Sequence, residues 1–365
     1  MASQPEFLLA SLAFIILIMM PITMILVHQS HLVYQIRAGE SEEKNIRQLI
    51  YGLLHHPGDP PNWGTSTNPP SAIGFASQRD YNSLDPEKVQ RLCVRNLNYL
   101  DYQTFSQALE LKSIRIRMRF LPPFNVSIVP TGGNITIKTT TWNGEPLPYV
   151  DILIVEVDIN NRSSLPSIIR TWKNTTDENG ETPPISINRT VTDIIIVLAK
   201  YKDGLFAPAY YIPIITVTQT VNVTFRYYID PITQEVDYGH LIVAYQVSPG
   251  TGIDYVNVTT ILIDHTFQRT DAQYFSSMSS STSGSMTVNI LSKGITFIIV
   301  YAYRKISPFY NIIIRAVDVF TWPPFVGYFS EDPPFGADLS SSDVIFQELM
   351  LTNGIPCLAV VECEY

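Results

Sequence analysis

Seven asparagines stand two residues before a serine or threonine: Asn125, Asn134, Asn161, Asn174, Asn188, Asn222 and Asn257. That spacing is the acceptor pattern for N-linked glycosylation, because the hydroxyl two residues on assists the amide. Other reactive groups are few. Of the three cysteines, Cys357 and Cys363 are close enough in sequence to close a short loop as a disulfide, or to stand as two separate thiols. Asp177-Glu178-Asn179 crowds hard oxygens that could ligate calcium, although a simple turn explains the same residues. His55-His56 falls at the end of a helical pattern, where neighbouring side chains diverge and suit capping better than a metal. No H-E-x-x-H, G-x-S-x-G, phosphate-loop or G-x-G-x-x-G pattern occurs. The expectation is a protein that is not an enzyme and holds no cofactor or metal.

Composition narrows the class further. The 365 residues are 45% hydrophobic and only 16% charged, with a net charge of −9. Ample apolar content with little charge means packed cores and argues against disorder. Without a cluster of lysine or arginine there is no footprint for nucleic acid, so no nucleic-acid partner is expected.

The elements that position these groups follow from periodicity. Phe7 to Val27 is an uncharged apolar run, long enough as a helix to span a bilayer at about 1.5 Å per residue. It predicts a retained single-pass anchor contacting membrane lipid through residues 7–27, with the N-terminus cytoplasmic and the remainder extracellular. Ile46, Leu49, Ile50, Leu53 and Leu54 form one helical stripe, extending the anchor into a stalk as far as residue 56. A Pro/Gly/Asn-rich loop then leads into a small helical head over 57–124. Within it Asp85 caps a helix that opens on Pro86, and a second helix covers Tyr102 to Leu111.

From Ser113 the period changes to two. Ile114, Ile116, Met118 and Phe120 alternate with Arg115, Arg117 and Arg119, a strand with a basic outer face. Strands are expected at 134–142, 150–158, 167–173, 191–201, 207–215, 217–228, 239–247, 254–263, 285–291, 295–304 and 310–319. A boundary near Pro213 to Thr216 divides them into two antiparallel sandwich-like domains, 125–215 and 216–365, with the tail packed on the second. The expected class is therefore α+β: a transmembrane helix and stalk, a helical head, then two β-sandwich-like domains.

Three stretches carry family resemblances. Ser3-Gln4-Pro5-Glu6-Phe7-Leu8-Leu9, running into the apolar helix, resembles the N-terminus of archaeal type IV pilin-like proteins. The resemblance implies that Glu6 pairs with a neighbouring subunit's N-terminus during assembly, making other pilin-like subunits the partners. The series LHHPGDPPNWG (54–64), Ile73-Gly74-Phe75-Ala76, LDPEKVQRL (84–92) and Asp101-Tyr102-Gln103-Thr104-Phe105 is similar to the juxtamembrane region of uncharacterised archaeal pilin-like surface proteins. Finally, NGEPLPYVDI (143–152) with TDENGET (176–182) resembles transthyretin-like and bacterial Ig-like surface domains, in which Asn143-Gly144 and Asn179-Gly180 make hairpin turns. Together they imply a pilin-like, membrane-anchored structural or adhesion protein; the alternatives are a non-assembling anchored binding module and, behind it, a tethered exoenzyme.

Overall fold

The computed structural model describes residues 40–78, 80–111, 113–158, 167–187, 193–202, 204–212, 221–229, 236–247, 255–264, 266–277, 283–291, 294–305, 312–329, 333–352 and 354–364. The chain divides into two compact units, Met1–Gln48 and Leu49–Tyr365. In the first, the described residues form the opening turns of helix α1 (Glu40–His55), where Arg47 pairs with Glu43 one turn earlier at 2.8 Å. Everything below concerns the second unit.

Strand accounts for 53% of the structure and helix for 10%, so the expected α+β class is corrected to a mostly β protein. The expected single-pass membrane localisation is corrected too: among the described residues no helix is long and apolar enough to cross a membrane. The run at 7–27 and Glu6 lie outside the described residues.

The helical head is also corrected. Two short helices do form there, α2 (Pro86–Gln90) and α3 (Tyr102–Ala108), and Asp85 and Asp101 cap them by accepting from the Glu87 and Thr104 N–H groups. What organises the region is a five-stranded sheet in the order β1–β18–β19–β2–β17. It joins β1 (Ser83–Leu84) and β2 (Arg115–Leu121) to β17 (Phe335–Gly336), β18 (Val344–Thr352) and β19 (Ile355–Glu364) from the far end of the chain. The tail therefore pairs with the start of the β region instead of packing on the last domain.

The reason lies in the alternation of β2. Ile116, Met118 and Phe120 are fully buried, and the opposite face carries three arginines. In the antiparallel register with β19, Glu362 lies opposite Arg117 and Glu364 opposite Arg115. Glu362 accepts from Arg117 at 2.5 Å and from Arg119 at 2.8 Å, and Glu364 from Arg115 at 2.9 Å. An arginine ladder and a glutamate pair thus select each other across the length of the chain.

Two sandwiches are inserted between β2 and β17, which are themselves paired neighbours through Met118 and Phe335. In the first, β3 (Asn125–Thr131), β4 (Asn134–Thr140) and β7 (Ile185–Ser186) face the sheet β6–β5–β8–β9. The latter comprises β5 (Asp151–Asp158), β6 (Ser167–Thr175), β8 (Asp193–Tyr201) and β9 (Leu205–Tyr211). Val126, Ile135, Ile137, Ile152, Ile154, Ile195 and Val197 fill the core between the sheets.

The second sandwich has β10 (Val221–Ile229), β11 (Val236–Val247) and β14 (Ser283–Asn289) in one sheet. The other runs β13–β12–β15–β16, from β12 (Tyr255–Asp264), β13 (Arg269–Ser277), β15 (Gly294–Lys305) and β16 (Ile312–Trp322). Phe225 of β10 stacks on Phe320 of β16 across the core, with ring centroids 4.9 Å apart. In both sandwiches the first, second and fifth strands make the small sheet, and the fourth, third, sixth and seventh make the large one. The same wiring occurs twice in tandem.

Candidate functional site

Residues of the series 54–64, 73–76 and 84–92 meet in one place, under the loop that follows α1. Trp63 is fully buried and its indole N–H donates to the Gly74 carbonyl at 3.0 Å. Lys88, also fully buried, donates to the carbonyls of Pro57 and Ala76, both at 2.8 Å, with the Asp85 carboxylate 3.6 Å away. Arg91 donates to the Trp63 carbonyl at 2.6 Å and to the Asn98 carbonyl at 2.8 Å, its guanidinium lying 5.4 Å over the Trp63 ring. Gly74 has to be glycine because a Cβ there would overlap the His56 carbonyl oxygen. A short helix and its C-cap thus supply two cations that hold a proline-rich loop by its backbone carbonyls.

Burial sets the electrostatics of this knot. The Asp85 carboxyl is held above its usual range by desolvation, against the pull of Lys88. Glu87 is raised to about 8 by burial and by the neighbouring Asp85, and its Oε1 has no hydrogen-bond partner. Desolvation lowers both Lys88 and Arg91. The hydrogen bonds of these groups run to backbone carbonyls of the neighbouring chain, so the arrangement holds chain together. The series LHHPGDPPNWG and LDPEKVQRL contain Trp63, Lys88 and Arg91, but the sequence did not show the contacts that join them. The available signal was two cations three residues apart, one on the helix that opens at Pro86 and one at its C-cap.

His55 and His56 have separate structural roles. His55 lies 3.0 Å from Glu348 of β18 through Nε2 and stacks on Tyr51, whereas His56 Nδ1 accepts from the Gly58 N–H at 3.0 Å. Asp177 is likewise spent within its own turn, its Oδ1 accepting from the Asn179 and Glu181 N–H groups at 2.9 Å. Those bonds hold its carboxyl below the usual range. Among the described residues no group of three or more histidine, cysteine or carboxylate side chains could hold a metal ion.

The candidate disulfide is corrected. Cys357 and Cys363 are free, buried and on the same strand, β19. Six residues of strand separate their Cα atoms by about 20 Å, against the 4.4–6.8 Å a disulfide requires. Burial pushes both thiols up to about 12.

The sequons separate by environment. Asn257 is buried on β12 and its Nδ2 donates to the Tyr301 hydroxyl at 2.9 Å, so in the folded protein it has neither the space nor the free amide to carry a glycan. Asn125, Asn134 and Asn174 are half-buried on β3, β4 and β6. Asn222 is on β10, and Asn161 and Asn188 lie outside the described residues.

An open cleft of about 420 Å3 lies along the first sandwich. Asn125, Ser127 and Ile128 of β3 form one side, Tyr210 and Tyr211 of β9 the other, and Tyr328 and Phe329 close it. Tyr328 donates to the Pro208 carbonyl at 2.9 Å, and the Phe329 ring lies 5.1 Å from that of Tyr210. Its walls are the open edges of the two sheets of the first sandwich and the segment leading back to the head.

No family model and no curated protein matches the sequence. Among solved structures, the chain is similar to trypsin-activated alpha-2-macroglobulin from Escherichia coli over 64% of this chain and 18% of that one, at 13% identity and a TM-score of 0.18. The segment of native E. coli alpha-2-macroglobulin spanning domains NIE–MG1 aligns with 53% of this chain and 96% of its own, at 9% identity and a TM-score of 0.17. For the chicken interferon gamma receptor alpha chain the shares are 55% and 96%, at 9% identity and a TM-score of 0.18. The chain spans less than a fifth of the first macroglobulin's length. At these scores the superpositions carry no argument, and the sandwich fold rests on the strand pairing described above.

Proposed function

We infer that the chain is a structural or adhesive protein, not an enzyme, in which a head closed by strands from either side of the insertion, β1 and β2 with β17, β18 and β19, presents two β-sandwich modules. The observation that carries this is the insertion topology. Both sandwiches leave and re-enter the head at paired strands, and the conspicuous motif residues of the head, Trp63, Gly74, Asp85 and Lys88, all serve to hold that support together. Assembly into a filament through Glu6, as the pilin-like resemblance implies, would add subunit contacts to this role without changing what the modules do.

The test compares beads coated with the full chain and beads coated with a chain whose residues 123–324 are replaced by a short Gly/Ser linker. Retention is measured on immobilised cellulose, on chitin and on the envelope of the source organism. The display role predicts retention on at least one surface that is lost with the modules, and no turnover of a polysaccharide and peptide panel. Turnover abolished by a single carboxylate substitution would overturn it, as would equal retention of both bead types.

A further inference from the structure

The cleft between β3 and β9 contains the first sequon. Asn125 and Ser127 stand two apart on β3, so their side chains leave the strand on one face, and both line the cleft. No hydrogen bond occupies the Asn125 amide among the described residues, unlike Asn257, whose amide is bound to Tyr301, and Asn174, whose oxygen accepts from the Thr175 N–H. Across the cleft from the acceptor asparagine runs β9, whose half-buried Tyr210 ring lies 5.1 Å from the Phe329 ring, while Tyr211, on the other face of that strand, packs against the sandwich core. An aromatic face suits the C–H face of a pyranose, and hydroxyl and amide groups suit its rim. The volume falls within the range of small-molecule pockets, about 300–1,000 Å3.

The geometry points to an N-linked glycan on Asn125 whose first sugars fill this cleft and brace β3 and β9 against Tyr328 and Phe329. Attachment joins Asn125 Nδ2 to the anomeric carbon of a lipid-diphosphate-linked sugar. It breaks that carbon's bond to the diphosphate oxygen and releases the lipid diphosphate together with one amide proton. A sugar tethered inside the cleft needs little affinity to stay there, because attachment makes the contact intramolecular. The other partly exposed sequons sit elsewhere: Asn134 ends the β3–β4 hairpin, and Asn174 lies on β6, at the opposite edge of the large sheet from β9. This inference does not rest on the display role, and either can fail alone.

The experiment uses full-length protein purified from its native source. Peptide mass mapping is expected to find a glycan on the Asn125 peptide. Enzymatic removal of that glycan from folded protein should lower Tm by about 2–4 °C and speed amide exchange in β3 and β9. Ser127→Ala should do the same, Tyr210→Ala should lower Tm with the glycan still attached, and the double variant should lose no more than the larger single effect. Asn134→Gln, away from the cleft, should leave exchange in β3 and β9 unchanged. A bare Asn125 in the native protein would overturn the inference, including the case in which the cleft binds a free oligosaccharide instead. So would a glycan whose removal changes neither Tm nor the exchange of those strands.

Discussion

Lys88 is a fully buried ammonium with three oxygen neighbours, and its replacement by methionine leaves the Pro57 and Ala76 carbonyls without a donor and Asp85 without its cation. Breaking a buried charge pair from one side costs about 3–5 kcal/mol. Urea denaturation of Lys88→Met is expected to show that loss, with Trp63 fluorescence shifting to the red at low denaturant. A variant as stable as the parent would show that the loop is held by other contacts. Glu87 gives the knot a pH dependence of definite sign. Its folded pKa of about 8 lies above the ordinary glutamate value of 4.5, so the folded state holds a proton that the unfolded chain has released. Stability from this group is therefore complete below about pH 4.5, falls as pH rises through the interval, and is lost above about 8. Glu87→Gln should flatten the Tm profile between pH 5 and 8, and an unchanged slope would assign the dependence elsewhere. The cysteines give the third residue-scale prediction. Cys93, Cys357 and Cys363 are all buried, so a thiol reagent at pH 8 should find none in native protein and three equivalents after unfolding without reductant. One equivalent would mean that Cys357 and Cys363 are bridged after all.

At the scale of elements, turn chemistry and ladder chemistry decide what goes where. Gly180 has φ +71°, and a Cβ there would come within 2.5 Å of the Thr139 carbonyl oxygen. Gly180→Ala is expected to cost about 1–3 kcal/mol, read as a lower urea midpoint with the same slope. This turn was legible in the sequence, but only its glycine takes positive φ, and it carries the chain from β6 in the large sheet to β7 in the small one, so it is not a hairpin. Most strands of the two sandwiches were legible from alternation within a few residues. Three were not. β3 contains Pro130, which masks its period, β7 is only two residues long, and β13 reads Arg269-Thr-Asp-Ala-Gln-Tyr-Phe-Ser-Ser277 without an apolar alternation. The pairing of β2 with β19 was missed for a different reason, since no local pattern reports a partner so far along the chain. Its trace was the complementarity of Arg-x-Arg-x-Arg at 115–119 and Glu-x-Glu at 362–364, visible only when both ends are compared.

At the scale of the molecule, the sequence pointed to consecutive domains, whereas the chain returns on itself to complete the head. The tandem wiring of the sandwiches was also hidden. Their strands differ in length and residue type, with a short β7 of two residues where the second module has a β14 of seven, so the repeat survives in topology and not in sequence. A head completed by the last strands ties its stability to the far end of the chain, so its folding waits for residues 344–364. The most direct test of the whole account is the unfolding of the chain whose residues 123–324 are replaced by a Gly/Ser linker, followed by Trp63 fluorescence in urea. If the head is a domain built from both ends and the sandwiches are its insertion, this shortened chain will unfold in a single cooperative transition from a state with Trp63 buried. A shortened chain with exposed Trp63 and no transition would contradict the account, because the head would then depend on the modules it is said to present.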